Sequence, residues 1–320
     1  MTGVTGGRAY RLTPGDQAAF RRDGVVCLRN VVAPGEVEAL RAAVGAQLDS
    51  LGTSATGYDF EALGRAAWDQ GAAVDAGAAS RFDMAGLKRL IAGDTSARPL
   101  LEADASPETG LFFYDAAGWR QDGRIRDVAC LSALPGIAGD LLDARQVQFW
   151  EDTTFVKAPH TRQKTAFHQD LAYFQISGDQ CVVAWIPLDP AGPWNGVTQY
   201  VRGSHLWGEI YAPNIFLSQT PFPGAAAARC PDIEADPAAW DLVSFEVEPG
   251  DVIFHHVLTV HGAGGNPSGS WRRAMSFRYC GDKVRFLDRP GAVPMVGGAM
   301  GHRDGDRLSP DVFPVVWQRS

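Results

Sequence analysis

A mainly β fold, a sandwich or jelly roll decorated by helices, is what this 320-residue sequence predicts. Three observations carry the prediction. From Gln146 onward the chain breaks into short apolar or alternating runs bounded by Gly and Pro turns, as double-sheet proteins do. Before Gln146 the apolar residues follow helical spacing, but they are too few to build a separate core of convincing size. Hydrophobic residues make up 45% and charged residues 21%, so one large core can form without staples. We therefore expect residues 1–9 to be a loose, flexible tail and residues 10–320 to be a single domain.

In chain order, Thr13-Pro14-Gly15-Asp16 opens a short helix, with Thr13 as N-cap, Pro14 at N1 and Asp16 at N3; it ends near Asp23-Gly24. Val25–Leu28 is β-rich and apolar, a buried strand. Pro34 opens a second helix, with Val37, Leu40, Val44 and Leu48 along one face. Residues 52–130 are rich in Ala, Gly and Asp, with helical patches at Phe60–Trp68 and Met84–Ile91 and an aromatic cluster of Phe112, Phe113, Tyr114 and Trp119. They read as a packed cover or as a substrate lid. Leu134-Pro135 starts a helix running to about Leu142. Beyond it, Val147, Phe149 and Glu151 alternate with Gln148, Trp150 and Asp152. Cys181–Leu188, Val197–Val201 and Val252–His256 read as strands, the last entered through the turn Pro249-Gly250-Asp251. In a final strand Arg272, Ala274, Ser276 and Arg278 alternate with Arg273, Met275, Phe277 and Tyr279. Residues 206–240 form a Pro- and Ala-rich insertion.

A net charge of −8 argues against a general nucleic-acid or anionic-membrane surface. No run of about 18 apolar residues predicts a membrane span. The five cysteines are scattered, odd in number and without CxxC spacing, which excludes a zinc ribbon or a disulfide framework and fits a reducing cytoplasm.

The stretch Thr165–Phe174 carries the chemistry. His168 and Asp170 are two positions apart, and in a strand such residues share a face. An imidazole and a carboxylate, completed by a second imidazole, make the facial triad of non-haem Fe(II) oxygenases. The remaining histidines are His160, His205, His255, His256, His261 and His302. His261 follows a β-rich segment. His255 and His256 are rivals, although neighbouring strand residues face opposite ways and the pair reads as structural. A dicarboxylate keto acid as electron source needs a cation for its far carboxylate, and arginine matches a carboxylate bidentately. Arg272 lies on the strand after His261 and Arg273 points the other way; taken alone, both read as surface residues.

Phe167–Phe174, Trp185-Ile186-Pro187-Leu188-Asp189, Asn195-Gly196, Gly203-Ser204-His205, Pro249-Gly250-Asp251, His261-Gly262 and Arg272 occur together and in order. This set resembles the phytanoyl-CoA dioxygenase family of Fe(II)/2-oxoglutarate oxygenases, from about residue 12 to 280. The resemblance is weakest across 52–130 and 206–240, which are then lid or substrate-specificity insertions. It implies a double-stranded β-helix core flanked by α-helices. It assigns Fe(II) to His168, Asp170 and His261, the distal carboxylate of 2-oxoglutarate to Arg272, and positions beside that co-substrate to Trp185 and Thr153. It implies hydroxylation by O2 of an unactivated C–H bond in a small organic metabolite, with release of succinate and CO2. Asp170 matters here, because related halogenases have a small residue in its place. Ala263 departs from the pattern, where relatives often carry Ser to help hold the co-substrate carboxylate.

Tyr173, Phe174 and Phe113 are candidates for a substrate wall. His205 reads as structural, Asn195-Gly196 as a tight turn, Asp189 as a turn hydrogen-bonding residue and Lys157 as a solvated lysine. No dense Lys/Arg cluster suits an acyl-CoA. The implied partner is a small-molecule substrate, with no nucleic acid or membrane and a monomer or homodimer in the cytoplasm. The competing readings are a non-redox metal-dependent enzyme, or a silent cupin-like binding protein on the same fold.

Overall fold

The computed structural model describes residues 10–51, 57–60, 110–221, 225, 227–289, 292 and 301–319. The expected tail at 1–9, the helical patch Met84–Ile91 and most of Phe60–Trp68 lie outside the described residues.

Helix α1 spans Pro14–Asp23. Its capping box is as expected: the Asp16 N–H donates to Thr13 Oγ1 at 3.1 Å, and the Thr13 N–H donates to Asp16 Oδ2 at 2.8 Å. Gly24 ends it at φ 74°, a left-handed position that suits glycine. Strand β1 (Val25–Leu28) follows, then α2 (Pro34–Asp49), which buries Val37, Leu40, Ala43 and Val44. Further helices are α3 (Gly123–Leu131) and α4 (Leu134–Leu141).

The remaining strands are β2 (Tyr58–Asp59), β3 (Phe112–Ala116), β4 (Gln146–Lys157), β5 (Thr165–His168), β6 (Ile176–Ser177), β7 (Cys181–Pro187), β8 (Thr198–Val201), β9 (Leu242–Ser244), β10 (Val252–His256), β11 (His261–Ala263), β12 (Arg272–Gly281), β13 (Arg285–Phe286) and β14 (Val315–Gln318). The large sheet runs β1-β10-β7-β12-β4-β3-β2, with β14 also on β4, and the small sheet runs β5-β11-β8-β9. From β4 to β12 the chain passes repeatedly between the two sheets, and every pairing is antiparallel. This winding is the double-stranded β-helix.

The helices cover the outer face of the large sheet. Leu40, Val44, Ile125 and Ile137 pack there on Phe149, Phe254, Phe277 and Tyr279. Strand β7 is buried along its whole length, being covered on both sides. Alternation sends the other residues of β10 and β12 inward, so the sheet's inner face is the wall of a cavity.

The expected alternation on β4 fails in phase. The register slips by one residue opposite Arg278/Tyr279, so Trp150 is an extra residue. Val147 and Phe149 consequently share the outer face with Asp152, while Glu151 lies opposite Arg278 and points inward with Thr153 and Phe155. A bulge of this kind leaves no mark in hydrophobic periodicity.

Candidate metal and co-substrate site

The small sheet brings the two histidines together by register. His261, first residue of β11, lies directly across from His168, last residue of β5. Asp170 does not sit on the strand, as same-face spacing would have it. The strand ends at His168 and Asp170 opens a 3₁₀ turn, Asp170–Tyr173, from which its carboxylate reaches back. Asp170 Oδ1 lies 3.4 Å from His168 Nε2 and 3.7 Å from His261 Nε2. The three ligand atoms fall within 4.8 Å of one another and all three residues are buried.

Tautomer is set from behind. His168 Nδ1 lies 2.7 Å from the Ala166 carbonyl and His261 Nδ1 lies 2.9 Å from the Thr259 carbonyl. A carbonyl only accepts, so each Nδ1 carries the proton and each Nε2 offers its lone pair toward Asp170. Burial pushes His261 well below its ordinary range, as do His168 and His255 beside it, which keeps it a neutral ligand. Burial alone would raise the Asp170 carboxyl. His261, His168, His255 and the Arg278 guanidinium outweigh it and hold Asp170 well below the usual carboxylate range. A carboxylate and two neutral imidazoles converging on one point is a donor set that fits a divalent transition metal.

His255 joins this cluster. Its Nε2 stands 3.4 Å from Asp170 Oδ2, so it steadies the oxygen that Oδ1 leaves free. Its neighbour His256 packs on Phe20 and His205 outside the cavity. The expectation that only one of the pair could share the site holds; the expectation that the pair is structural fails for His255. Strand phase carries the signal: Phe254 faces the helices, so His255 must face inward.

The cleft around the cluster is lined by His168, His261, Asp170 and His255. Trp185 and Arg272 line one end. Arg272 is 3% exposed, and among the described residues it has no anionic partner; its Nε is unpaired. Burial lowers the guanidinium to about 10, and it is still charged at neutral pH. Such a group is costly unless an anion meets it, and a carboxylate is its natural mate. Arg272 is thus not a surface residue. Arg273 does point the other way and forms a bidentate pair with Asp189, at 2.9 and 2.7 Å. Asp189 is an ion-pairing residue, more than a turn residue.

Lys157 is also corrected. It is fully buried, donates to the Gly264 carbonyl at 2.6 Å and lies over the Phe112 ring. It fixes the loop between His261 and Arg272. Gly196 serves the same loop: at φ 75°, an added Cβ would stand 2.2 Å from the Gly265 carbonyl oxygen. Ala263 lines the cleft opposite Thr198 on β8 and Thr165 on β5, so two hydroxyl-bearing residues flank it.

The remaining candidates divide. Thr153 accepts a hydrogen bond from Arg278 Nη1 at 2.5 Å, so it meets the cleft through that arginine. The Tyr173 ring stands edge-on to His168, and its hydroxyl is held by Asn214. Phe174 is buried beneath Arg278. Phe113 packs among the helix-facing core residues, on the far side of the sheet from the cleft. Its neighbours Phe112 and Tyr114 face the other way, which sequence could not phase without the register of β3 on β4. Cleft residues that the sequence does not single out are Phe155, Phe216, Thr198, Ser276 and Arg278; His255 figures there only as a rival ligand. Gln169 and Asn214 clamp the 206–221 segment onto the site: Gln169 donates to Glu209 and Leu258 carbonyls, and Asn214 donates to the Phe167 carbonyl.

A family model described as phytanoyl-CoA dioxygenase (PhyH) matches residues 20–274. The chain belongs to that family. Among its curated relatives, a probable phytanoyl-CoA dioxygenase of Caenorhabditis elegans is 28% identical over 128 residues, 39% of this chain and 39% of that protein. The matched stretch is therefore about two fifths of the relative's length. Among solved structures, a non-heme alpha ketoglutarate dependent carbocyclase from nogalamycin biosynthesis superposes with a TM-score of 0.66 at 21% identity, covering 97% of this chain and all of the other. An epimerase from the same biosynthesis, crystallised with Fe3+, alpha ketoglutarate and nogalamycin RO, gives 0.63 at 21% identity, covering 95% of this chain and 98% of the other. At these identities the likeness is one of fold. No helix among the described residues is long and apolar enough to cross a membrane.

Proposed function

We propose that this PhyH-family chain is an Fe(II)- and 2-oxoglutarate-dependent dioxygenase that hydroxylates an unactivated C–H bond of a small organic molecule. His168 and His261 would hold the metal through Nε2, and Asp170 through Oδ1. Arg272 would receive the distal carboxylate of 2-oxoglutarate, with Trp185 beside it. When bound, iron, 2-oxoglutarate and O2 together supply the oxidising power, with succinate and CO2 as co-products.

The observation that carries this reading is a buried, anion-free arginine in the same cleft as a three-residue metal cluster. A non-redox metal enzyme needs no 2-oxoglutarate, so Arg272 favours the redox reading, and the intact ligand set favours a working enzyme over a silent binding protein. The chain's own residues do the positioning. The Ala166 and Thr259 carbonyls aim the imidazoles, His255 turns Asp170, and the closed double sheet keeps bulk water from the reacting carbon. Asp170 supports oxygen transfer over halogen transfer. The five free cysteines support a reducing compartment such as the cytoplasm.

Anaerobic titration of the protein with Fe(II) and 2-oxoglutarate tests the proposal. The expected result is a visible charge-transfer band from the chelate, followed by succinate release when O2 is admitted. Absence of both the band and succinate would overturn it.

A further inference from the structure

The cleft contains a second arginine. Arg272 and Arg278 lie on the same face of β12, six residues apart, so their backbones are separated by roughly 20 Å. Arg278 is 6% exposed and lines the cleft. Its Nη1 donates to Thr153 Oγ1, its guanidinium carbon stands 5.0 Å from the Phe174 ring centre, and its Nε has no partner. A guanidinium has five N–H donors. Among the described residues it makes no ion pair.

Two acids face it. Asp170 is committed to the three imidazoles. Glu151 lies across the strand pair from Arg278, and burial raises its carboxyl toward the neutral form, which weakens it as a counter-ion. The co-substrate offers no relief either. On the reading above, one of its carboxylates goes to Arg272 and the other to the metal.

Beside this arginine the wall is aromatic. The half-buried Phe216 stands edge-on to His168 at 5.2 Å, and Tyr114 bridges it to Phe155 with ring centres 6.0 and 5.5 Å away. Phe216 is held there against strain. Its φ is +63°, a left-handed conformation that is strained for a non-glycine residue. The Asn214 side chain accepts from its N–H at 2.9 Å and its carbonyl accepts from Ala166 at 2.5 Å. Phe216 stacks on Tyr173 at 4.7 Å and lies near-parallel to Phe60 at 6.1 Å, so what it and Phe155 offer the cleft is an apolar wall.

We propose that Arg278 is the anion-recognition residue of the substrate subsite, and that the substrate is a ring-bearing carboxylic acid whose ring packs against the apolar wall of Phe155 and Phe216. The inference rests on the iron and 2-oxoglutarate reading.

The test uses the wild-type protein with Fe(II) and saturating 2-oxoglutarate, without O2. Benzoate, cyclohexanecarboxylate and 2-naphthoate are each titrated against the matching neutral amide, following the charge-transfer band and tryptophan fluorescence. At least one acid binds about tenfold or more tightly than its amide. Arg278→Gln brings that ratio to about one, while 2-oxoglutarate affinity stays within about threefold of wild type. Arg278→Lys retains part of the preference, and a melting curve of each variant checks its fold. If Arg278→Gln does not fold, the wild-type ratios and Arg278→Lys decide. No acid preferred over its amide in wild type would overturn the proposal. So would loss of 2-oxoglutarate binding in Arg278→Gln as severe as in Arg272→Gln, which would give Arg278 to the co-substrate. The wild-type band with Fe(II) and 2-oxoglutarate alone scores the underlying reading separately.

Discussion

The two faces of the β4–β12 strand pair do opposite work. Outward, Phe149, Met275, Phe277 and Tyr279 lie under four helices, and nearly every contact is apolar. Inward, the same strands present Arg272, Ser276 and Arg278 to a cleft, with Glu151 and Thr153 paired opposite on the same face. A strand alternates faces with a period of two, so one sequence can carry both programmes without compromise. The outer face supplies the stability that lets the inner face keep charges poorly paired. Removing an inner charge should then damage chemistry and spare the fold, and removing an outer ring should do the reverse.

The largest effect expected is at Asp170. Asp170→Ala removes the acid from the metal cluster, and turnover should fall on the order of 10³-fold or more, since a bound metal supplies several kcal/mol of activation. The melting temperature of the metal-free protein should barely move. Undiminished succinate release by Asp170→Ala would mean that the metal lies elsewhere; a collapsed fold would mean that the two faces are not separable.

Phe277→Ala is the mirror experiment. The ring is fully buried against Phe149, with centres 5.8 Å apart. A loss of about 3–5 kcal/mol in denaturant unfolding is expected, with the charge-transfer band of the surviving folded protein unchanged. A shifted band at intact stability would show the site depending on the outer core.

Arg272→Gln returns to the inner face. Truncating one partner of a buried charge pair costs about 2–5 kcal/mol, so 2-oxoglutarate should bind roughly 30-fold to several thousand-fold more weakly. Iron affinity should hold, and the apo-protein should melt no lower, because a buried cation without an anion is gone. Unchanged 2-oxoglutarate affinity would remove Arg272 from the site.

Sequence revealed the outer face and the metal cluster more readily than the cleft, and the reason is physical. Helix starts are local events: Thr13, Pro14 and Asp16 specify one within four residues. His168, Asp170, His261 and Arg272 stand in ordered landmarks whose resemblance to a family carried the assignment. Some of those landmarks prove to be scaffold. Asp189 pairs with Arg273, and Asp251 accepts from Arg29 and the Asn30 N–H, tying β1 to the turn before β10. Cleft walls depend on long-range register, which sequence does not display. Arg278 was visible as the sixth residue after Arg272 on one face, yet only the cleft shows what that means. Lys157 looked like a solvated lysine because burial of its ammonium depends on the Gly264 carbonyl, 107 residues away.

Asp152 is a buried acid under the outer face, and it gives the smallest and most diagnostic effect. It lies across from Phe277, fully buried, with Oδ1 accepting from the Trp119 N–H at 2.9 Å and Oδ2 unpaired. Burial pushes its carboxyl up to about 7, against the pull of that N–H. In the unfolded chain an aspartate titrates near ~3.9. The unfolded state therefore loses this proton first as pH rises. The stability Asp152 contributes is full below about pH 4 and is lost progressively as pH climbs through about 7. Asp152→Asn keeps an oxygen acceptor for Trp119 and cannot ionise. Its melting temperature should match wild type near pH 4 and exceed it by several degrees at pH 8. Parallel pH profiles for the two proteins would mean that Asp152 finds a proton or a partner the outer core does not otherwise provide, and that this face tolerates charge as the inner one does.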